Sequence, residues 1–382
     1  MKVLLLTHIY PPAIDGGSQV IYKFGKYLKS QGHQIKVITS NCHSTDDFTH
    51  RHTVISKKDT DIFRLPAITF LHRPLKFIYK FLFLNHKSYF LSLICVCSKG
   101  PIFSPFAFIG ALISVLKFHP DLIVAGPLPT TIVLYARFLK KISGAKLLIN
   151  ASFHSTDKDF HQHILIKSLQ STNFLWTLTN FETDYFHKNF HIPYSKMINV
   201  GNGIDQKLLT NTPRQLPGCN LLFIGSFASH KGIGTLIKAF QKLPSNYHLT
   251  IAGKPTLHPI DFPQNITVIK NFKSSHLSKL LDNNDILISP STQESFGLVL
   301  LEAMARGIPV VATNIPASTE IVTKSGAGLL FKQDNSFDLS KKIKKLTTNQ
   351  KLYKKCSQSG LLYAQSHTWD KIGEALCQKI YS

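Results

Sequence analysis

The sequence predicts an α/β protein of two units, each a parallel sheet covered by helices, on three observations. Short apolar runs alternate with helical stretches along almost all of the 382 residues. The runs are apolar at successive positions, as strands buried on both faces require. The alternation pauses at Thr210-Asn-Thr-Pro-Arg-Gln-Leu-Pro-Gly218, a polar, proline-rich stretch without periodicity that reads as a linker. The expected units are therefore 1–210 and 211–365. Ligands of such sheets bind beyond the carboxyl ends of the strands, so two of them predict a cleft between domains.

In the first unit the expected strands are Lys2–Thr7, Gln34–Thr39, Leu122–Ala125, Lys146–Asn150, Trp176–Thr179 and Lys196–Val200. After the first of them, Gly16-Gly17 precedes an amphipathic helix whose apolar positions include Val20, Ile21, Phe24 and Leu28. A glycine turn at a helix N-terminus suits phosphate or close approach of a sugar, and equally a plain strand-to-helix turn. His154 follows the strand Lys146–Asn150 at its carboxyl end, where a lone histidine serves structure at least as often as a ligand. Adding His161 and His163 produces no defensible metal spacing. Asp59-Thr-Asp61 and Asp157-Lys-Asp159 resemble a metal-binding triplet that chance supplies in a chain of this length. No metal site is expected. In the second unit the strands are Asn220–Gly225, His248–Ala252, Ile266–Ile269, Asp285–Ser289 and Pro309–Ala312.

The 44 lysines and arginines outnumber the 21 acidic residues, for a formal net charge of +23. Nucleic acid is not the expected partner, because the lysines are dispersed and no helix-turn-helix, RNP-like segment or basic tail is present. A general lysine bias is the plain alternative. Residues 73–118 point instead to an anionic membrane surface. RPLKFIYKFLFLNHKSYF (73–90) mixes basic residues with Phe, Leu and Tyr, and GPIFSPFAFIGALISVL (100–116) carries no charge. Pro101 and Pro105 break the second run, so an interfacial anchor or an apolar acceptor groove is expected before a spanning helix. Core helices of an ordinary domain would also account for it. The apolar run Val3–Leu6 is too short for a signal peptide. The cysteines, at 42, 95, 97, 219, 356 and 377, form neither a zinc pattern nor a disulfide framework. A cytoplasmic protein, peripheral on the inner face of the plasma membrane, fits these features.

PSTQESFGLVLLEAMARG (290–307) spends two scarce carboxylates on one stretch. Leu298, Leu301, Met304 and Ala305 recur at helical spacing from about Phe296 to Arg306, and Gly307 with Pro309 ends the helix. Glu294 then lies in the preceding loop and Glu302 about two turns inside. Gly297 permits close backbone approach, and the unpaired amides of the first turn form an anion site. Diphosphate on the amides with hydroxyls on the carboxylates outlines a nucleotide-sugar site. A cap by Glu294 and a surface pair by Glu302 would be equally consistent with this segment.

The C-terminal half narrows the choice. LLFIGSFASHKGIGTLIKAFQKL, LTIAGKP, NDILISPSTQESFGLVLLEAMARGIPVVATNIPASTEIV and GAGLLF together resemble the retaining glycosyltransferases of family 4, including their paired glutamates, here Glu294 and Glu302. VGNGID (200–205), the Gly16-Gly17 loop, His154 and the ending HTWDKIGEALCQKIY extend the resemblance over nearly the whole chain, most loosely across 40–120. It implies the GT-B fold, two Rossmann-like domains facing across a cleft, with a C-terminal helix (366–382) crossing back to the first domain.

The resemblance also implies roles. Glu294 approaches the donor sugar's hydroxyls, and the backbone around Ser295, Phe296, Gly297 and Leu298 holds diphosphate and sugar. Glu302 bonds the ribose, Lys231 neutralises the diphosphate after Gly225, Gly16 or Gly17 offers backbone to phosphate, and His154 contacts the transferred sugar. The donor would be UDP- or GDP-linked, the acceptor a glycan or lipid-linked, and no cofactor or metal is implied. One departure matters. Where the family has Gly-Arg, this chain has Gly225-Ser226, so a bidentate phosphate partner is missing. Lys254 is the candidate replacement; weaker donor affinity or reduced activity is the alternative. Asn314-Ile-Pro-Ala-Ser-Thr-Glu320 also replaces a glycine pair of the family. A nucleotide-sugar epimerase, a phosphorylase and a catalytically weak nucleotide-binding protein are competing expectations. The first would need further acids, and the second a pyridoxal lysine and a longer chain.

Overall fold

The computed structural model describes every residue except 13–14, 44–54, 56–58, 69–70, 72–73, 76, 79–88, 256–261, 264–265 and 271–273. By its contacts the chain divides into Met1–Gly201 with Gly373–Ser382, and Asn202–Ile372.

The first unit runs β1 (Lys2–Leu6), α1 (Gly16–Ser30), β2 (Gln34–Ser40), β3 (Ile62–Leu65), α2 (Tyr89–Cys97), α3 (Pro105–Phe118), β4 (Leu122–Ala125), α4 (Ile132–Ser143), β5 (Lys146–Asn150), α5 (His163–Gln170), β6 (Phe174–Thr177), α6 (Asn180–Phe190) and β7 (Met197–Asn199). Its strands pair in the order β3-β2-β1-β4-β5-β6-β7, all parallel. Leu4 lies beside Lys36 on one side and Ile123 on the other. Leu4, Leu6, Ile123, Leu147 and Ile149 are fully buried on the face covered by α4 and α5. Burial on both faces makes these runs continuous in apolar residues.

The second unit runs β8 (Asn220–Ile224), α7 (Ile233–Phe240), β9 (His248–Gly253), β10 (Ile266–Lys270), α8 (Leu277–Asp282), β11 (Ile286–Ser289), α9 (Leu298–Ala305), β12 (Val310–Thr313), α10 (Pro316–Ser325), β13 (Gly328–Phe331), α11 (Ser336–Thr348) and α12 (Gln350–Gln365). Its order, β10-β9-β8-β11-β12-β13, is again wholly parallel. The proline-rich stretch 210–218 is held to this unit. The Arg214 amide donates to Ser357 Oγ at 2.8 Å, and its guanidinium donates to the Leu281 and Asp282 carbonyls.

A last helix, α13 (Trp369–Tyr381), starts among second-unit residues and ends in the first. Trp369 N donates to Ile204 O at 3.0 Å. Farther along, Lys146 Nζ donates to Ile380 O at 3.2 Å, and Gly373 lies so close to the Tyr27 ring that a Cβ would overlap it.

Two strands were not legible in the sequence. β3 and β13 are four-residue edge strands that stay partly exposed, so neither carries a long apolar run. The segment 73–118 resolves into parts. Ile94, Cys95 and Val96 of α2 are buried, and α3 turns Ala111, Val115 and Phe118 into the core. Arg73, Lys76, Lys80 and Lys87 lie outside the described residues.

Candidate functional site

Each sheet reverses its direction of growth once: β1 and β4 flank the reversal in the first, β8 and β11 in the second. Beyond the carboxyl ends of such a strand pair lies the crevice where α/β sheets bind ligands. Most of the residues singled out in the sequence fall there.

In the second unit, β8 leads through Gly225-Ser226 to a tight turn at Ser229–Lys231 and then α7. β11 leads through Pro290 to the loop ahead of α9. Thr292 ties the two loops together, its amide donating to His230 O at 2.8 Å and its hydroxyl to the same oxygen at 3.2 Å. Gly232, at φ +70°, abuts Pro290 O so closely that any side chain would collide with it. That stitching brings Lys231 Nζ to 2.8 Å from Glu294 Oε2, with both side chains largely buried. Glu294 therefore does not cap the helix. Gly297, at φ +91°, occupies the cap position with no side-chain hydrogen bond, and no acidic residue lies in the first turn. The first amides of α9 lack intrahelical acceptors and carry the positive dipole end.

α9 begins at Leu298, later than the spacing suggested, so Glu302 stands little more than one turn inside and is half-buried. Phe296 is buried and anchors the loop; Ser295 and Leu298 are half-buried. Gly225 and Gly253 sit back to back at the ends of β8 and β9, where a Cβ on Gly253 would strike Gly225 O. Phe227 N donates to Lys254 O at 2.9 Å, while the Lys254 side chain is exposed and Ser226 half-buried. Burial and the neighbouring Lys231 charge lower the His230 pKa, against a smaller opposing effect of Glu294.

Gly16, Gly17 and His154 belong to the first unit. Gly16 and Gly17 open α1 and do not precede it; the cap is Asp15, whose Oδ1 accepts from Ser18 N at 2.8 Å. Its Oδ2 meets His8 Nε2 at 2.6 Å. Burial raises the Asp15 carboxyl, but the His8 charge and hydrogen bonds from His8 and Ser18 outweigh that and hold it at about 2. Gly17 packs against Pro127 of the loop after β4, with no room for a Cβ, whereas Gly16 is open. His154 is half-buried in the loop after β5, edge-on to Phe160 at 5.5 Å between centroids. Buried Glu182 fixes that loop, accepting from Phe153 N at 2.8 Å and from Leu178 N.

Asp15 and Glu182 are the residues that the sequence reading passed over. Both had a signal: Asp15-x-x-Ser18 is an N-cap pattern, and Thr179-x-x-Glu182 has the form of a capping box. Asp157 accepts from the Asp159 amide, and His161 bonds Tyr185 Oη at 2.8 Å and the Asp157 carbonyl at 3.0 Å. Among the described residues no group of three or more His, Cys, Asp or Glu is placed to hold a metal ion.

Residues 217–362 match the family model described as Glycosyl transferases group 1. This stretch is a group 1 glycosyl transferase domain. It contains Gly225, Ser226, Lys231, Lys254, Glu294 and Glu302. Two curated relatives extend the likeness. An uncharacterized glycosyltransferase of Methanocaldococcus jannaschii is 29% identical over 46% of this chain and 51% of its own length. A phosphatidyl-myo-inositol mannosyltransferase of Propionibacterium freudenreichii is 26% identical over 65% of this chain and 66% of its own. The chain thus spans about half the length of the first of these relatives. Among solved structures, Anabaena HepE in complex with UDP and glucose covers all of this chain and 99% of its own, at TM-score 0.73 and 14% identity. At that identity the likeness is one of fold, the GT-B class with its two Rossmann-like domains.

Proposed function

We propose that the chain is a retaining glycosyltransferase that moves a sugar from a UDP- or GDP-linked donor to a glycan or lipid-linked acceptor, in surface polysaccharide or glycolipid synthesis. The observation that carries this reading is the Lys231–Glu294 pair, held beside the uncapped α9 N-terminus at the β8–β11 reversal. It supports the reading because a cation beside backbone amides suits a diphosphate, and a carboxylate suits the hydroxyls of an adjoining sugar.

In this mechanism Lys231 and the amides of Leu298 and Val299 take up the charge that grows on the departing diphosphate. The bond from the anomeric carbon to the phosphate oxygen breaks as the acceptor oxygen bonds the same face. The acceptor's proton passes to the released phosphate oxygen, so no protein nucleophile is needed. Glu294 orients the donor sugar and Glu302 holds the ribose hydroxyls. Lysine and helix dipole balance the diphosphate charge without a metal.

The test is a panel of UDP- and GDP-sugars offered with glycan and polyprenyl-linked acceptors. Products would be followed by mass spectrometry and their anomeric configuration read from NMR couplings. Transfer with retention is expected; an inverted product, or neither transfer nor donor hydrolysis across the panel, rejects the reading. Ser226 favours a second reading, a nucleotide-sugar-binding protein of weak activity. Donor binding without turnover would select it.

A further inference from the structure

α3 is apolar on both sides. Ala111, Val115 and Phe118 face the core, yet Phe106 is 87% exposed, Ile109 52% and Ile113 51%, with Leu116 exposed as well. At 3.6 residues per turn these four fall within an arc of about 80°, along a stripe about 15 Å long. A helix of a soluble protein ordinarily presents polar residues on that side. α4 widens the stripe. Phe108 packs against Tyr135 and Phe138 of α4, at 4.9 and 6.2 Å between ring centroids, and Phe138 and Ile142 are exposed beside it. Neither helix contains an Asp or Glu; their basic residues include Lys117, Arg137 and Lys141.

We propose that this face docks the first unit on an anionic lipid bilayer. Phe106, Ile109, Ile113 and Phe138 enter the interface, and Lys117, Arg137 and Lys141 meet the headgroups. Charge complementarity selects the occupant. A second copy of the chain would bring the same cations together, and no carboxylate on either helix answers them. Anionic headgroups answer each one.

Positive charge alone does not single out this face. α11 carries Lys341, Lys342, Lys344 and Lys345, but turns Leu339, Ile343 and Leu346 into the core, so it lacks the apolar half of an interfacial helix. Among the described residues no helix is long and apolar enough to cross a membrane, so α3 would lie along the surface. The inference goes beyond the glycosyl-transfer reading and stands without it.

The experiment uses the full chain with Phe106→Trp and vesicles of phosphatidylcholine, alone or mixed with phosphatidylglycerol. A blue shift of the new emission and its quenching by chain-brominated lipid are expected on the anionic vesicles, both reversed by salt. Ile109→Glu with Ile113→Glu, and separately Arg137→Gln with Lys141→Gln, lower co-sedimentation by ~10-fold or more. Lys341→Gln with Lys342→Gln leaves it unchanged. Unaltered Trp emission at every lipid concentration overturns the proposal, and that readout needs no glutamate variant to fold. So does equal loss on changing the α11 lysines, which would reduce the binding to net charge. Light scattering that shows a dimer dispersed by the α3 variants, with vesicle binding intact, would assign the face to a second copy and overturn it as well. None of these readouts involves a sugar donor.

Discussion

Lys231 already holds an anion, Glu294, at 2.8 Å, so a diphosphate arriving at the α9 N-terminus competes with a carboxylate for the same ammonium. Glu294→Gln removes that competitor. It should leave nucleoside diphosphate affinity unchanged or raise it, while depressing turnover, because in the proposed mechanism its partner is the sugar. Calorimetric titration with UDP and GDP checks the affinity, and a large loss would show that Glu294 serves nucleotide binding itself. Glu302→Ala should instead cost about 1.5–3 kcal/mol of nucleotide affinity, the range for hydrogen bonds to a charged group. Unchanged affinity would remove it from the ribose. Ser226→Arg tests the missing guanidinium: tighter diphosphate binding is expected, and weaker binding with an intact fold would show a pocket rebuilt around serine. Asp15 gives a pH signature. Its carboxyl sits at about 2 against an ordinary 3.8, so its contribution is complete above about pH 4 and is lost as pH falls toward 2. Its side chain is 36% exposed, so solvent screening reduces the effect to about 1 kcal/mol. The stability gap between wild type and Asp15→Asn in urea should shrink over that range; a pH-independent gap would mean that the His8 pair contributes nothing.

At the scale of elements, the ends of β8 and β9 are built on glycine for lack of space. A Cβ on Gly253 would strike the Gly225 carbonyl, and Gly225, directly after β8, is held in place by its amide donating to Ala252 O at 3.0 Å. Gly253→Ala should therefore destabilise by about 1–3 kcal/mol. Gly234, in α7 with open space around it, is the control: Gly234→Ala should stabilise by about 0.5–1 kcal/mol through helix propensity. Equal urea midpoints for the two variants would dismiss the steric account. The same contrast explains what the sequence made legible. β8, β9, β11 and β12 lie inside the sheet, and interior burial writes itself as apolar runs. β3 and β13 lie at edges and leave no such mark. The glutamates of the α9 region and the glycine at its start were readable because loop chemistry is local. The partner of Glu294 was not, since Lys231 lies 63 residues earlier and only the β8–β11 pairing brings it near. α3, apolar all round, gave no sign of which side would face the core.

At the scale of the whole molecule, charge is the dominant feature. A formal net charge of +23 makes the folded chain repel itself, and compactness bears that cost. The repulsion is concentrated in places such as α11, where Asp338 alone stands among Lys341, Lys342, Lys344 and Lys345. Raising the ionic strength from about 0.01 to 0.15 M shortens the screening length from about 30 to 8 Å, less than the spacing of most of these charges across a domain. Stability should therefore rise with salt. A relief of about 2 kcal/mol would move the midpoint of a chain this size by only about 2–3 °C, because its unfolding entropy is large. Differential scanning calorimetry in a sodium chloride series resolves such a shift. A midpoint that falls or stays level would show that the acidic residues already neutralise their neighbours locally. The direction also separates two responses of one protein: added salt should strengthen the fold and weaken its hold on anionic vesicles, so a loss of vesicle binding at high salt cannot be attributed to unfolding.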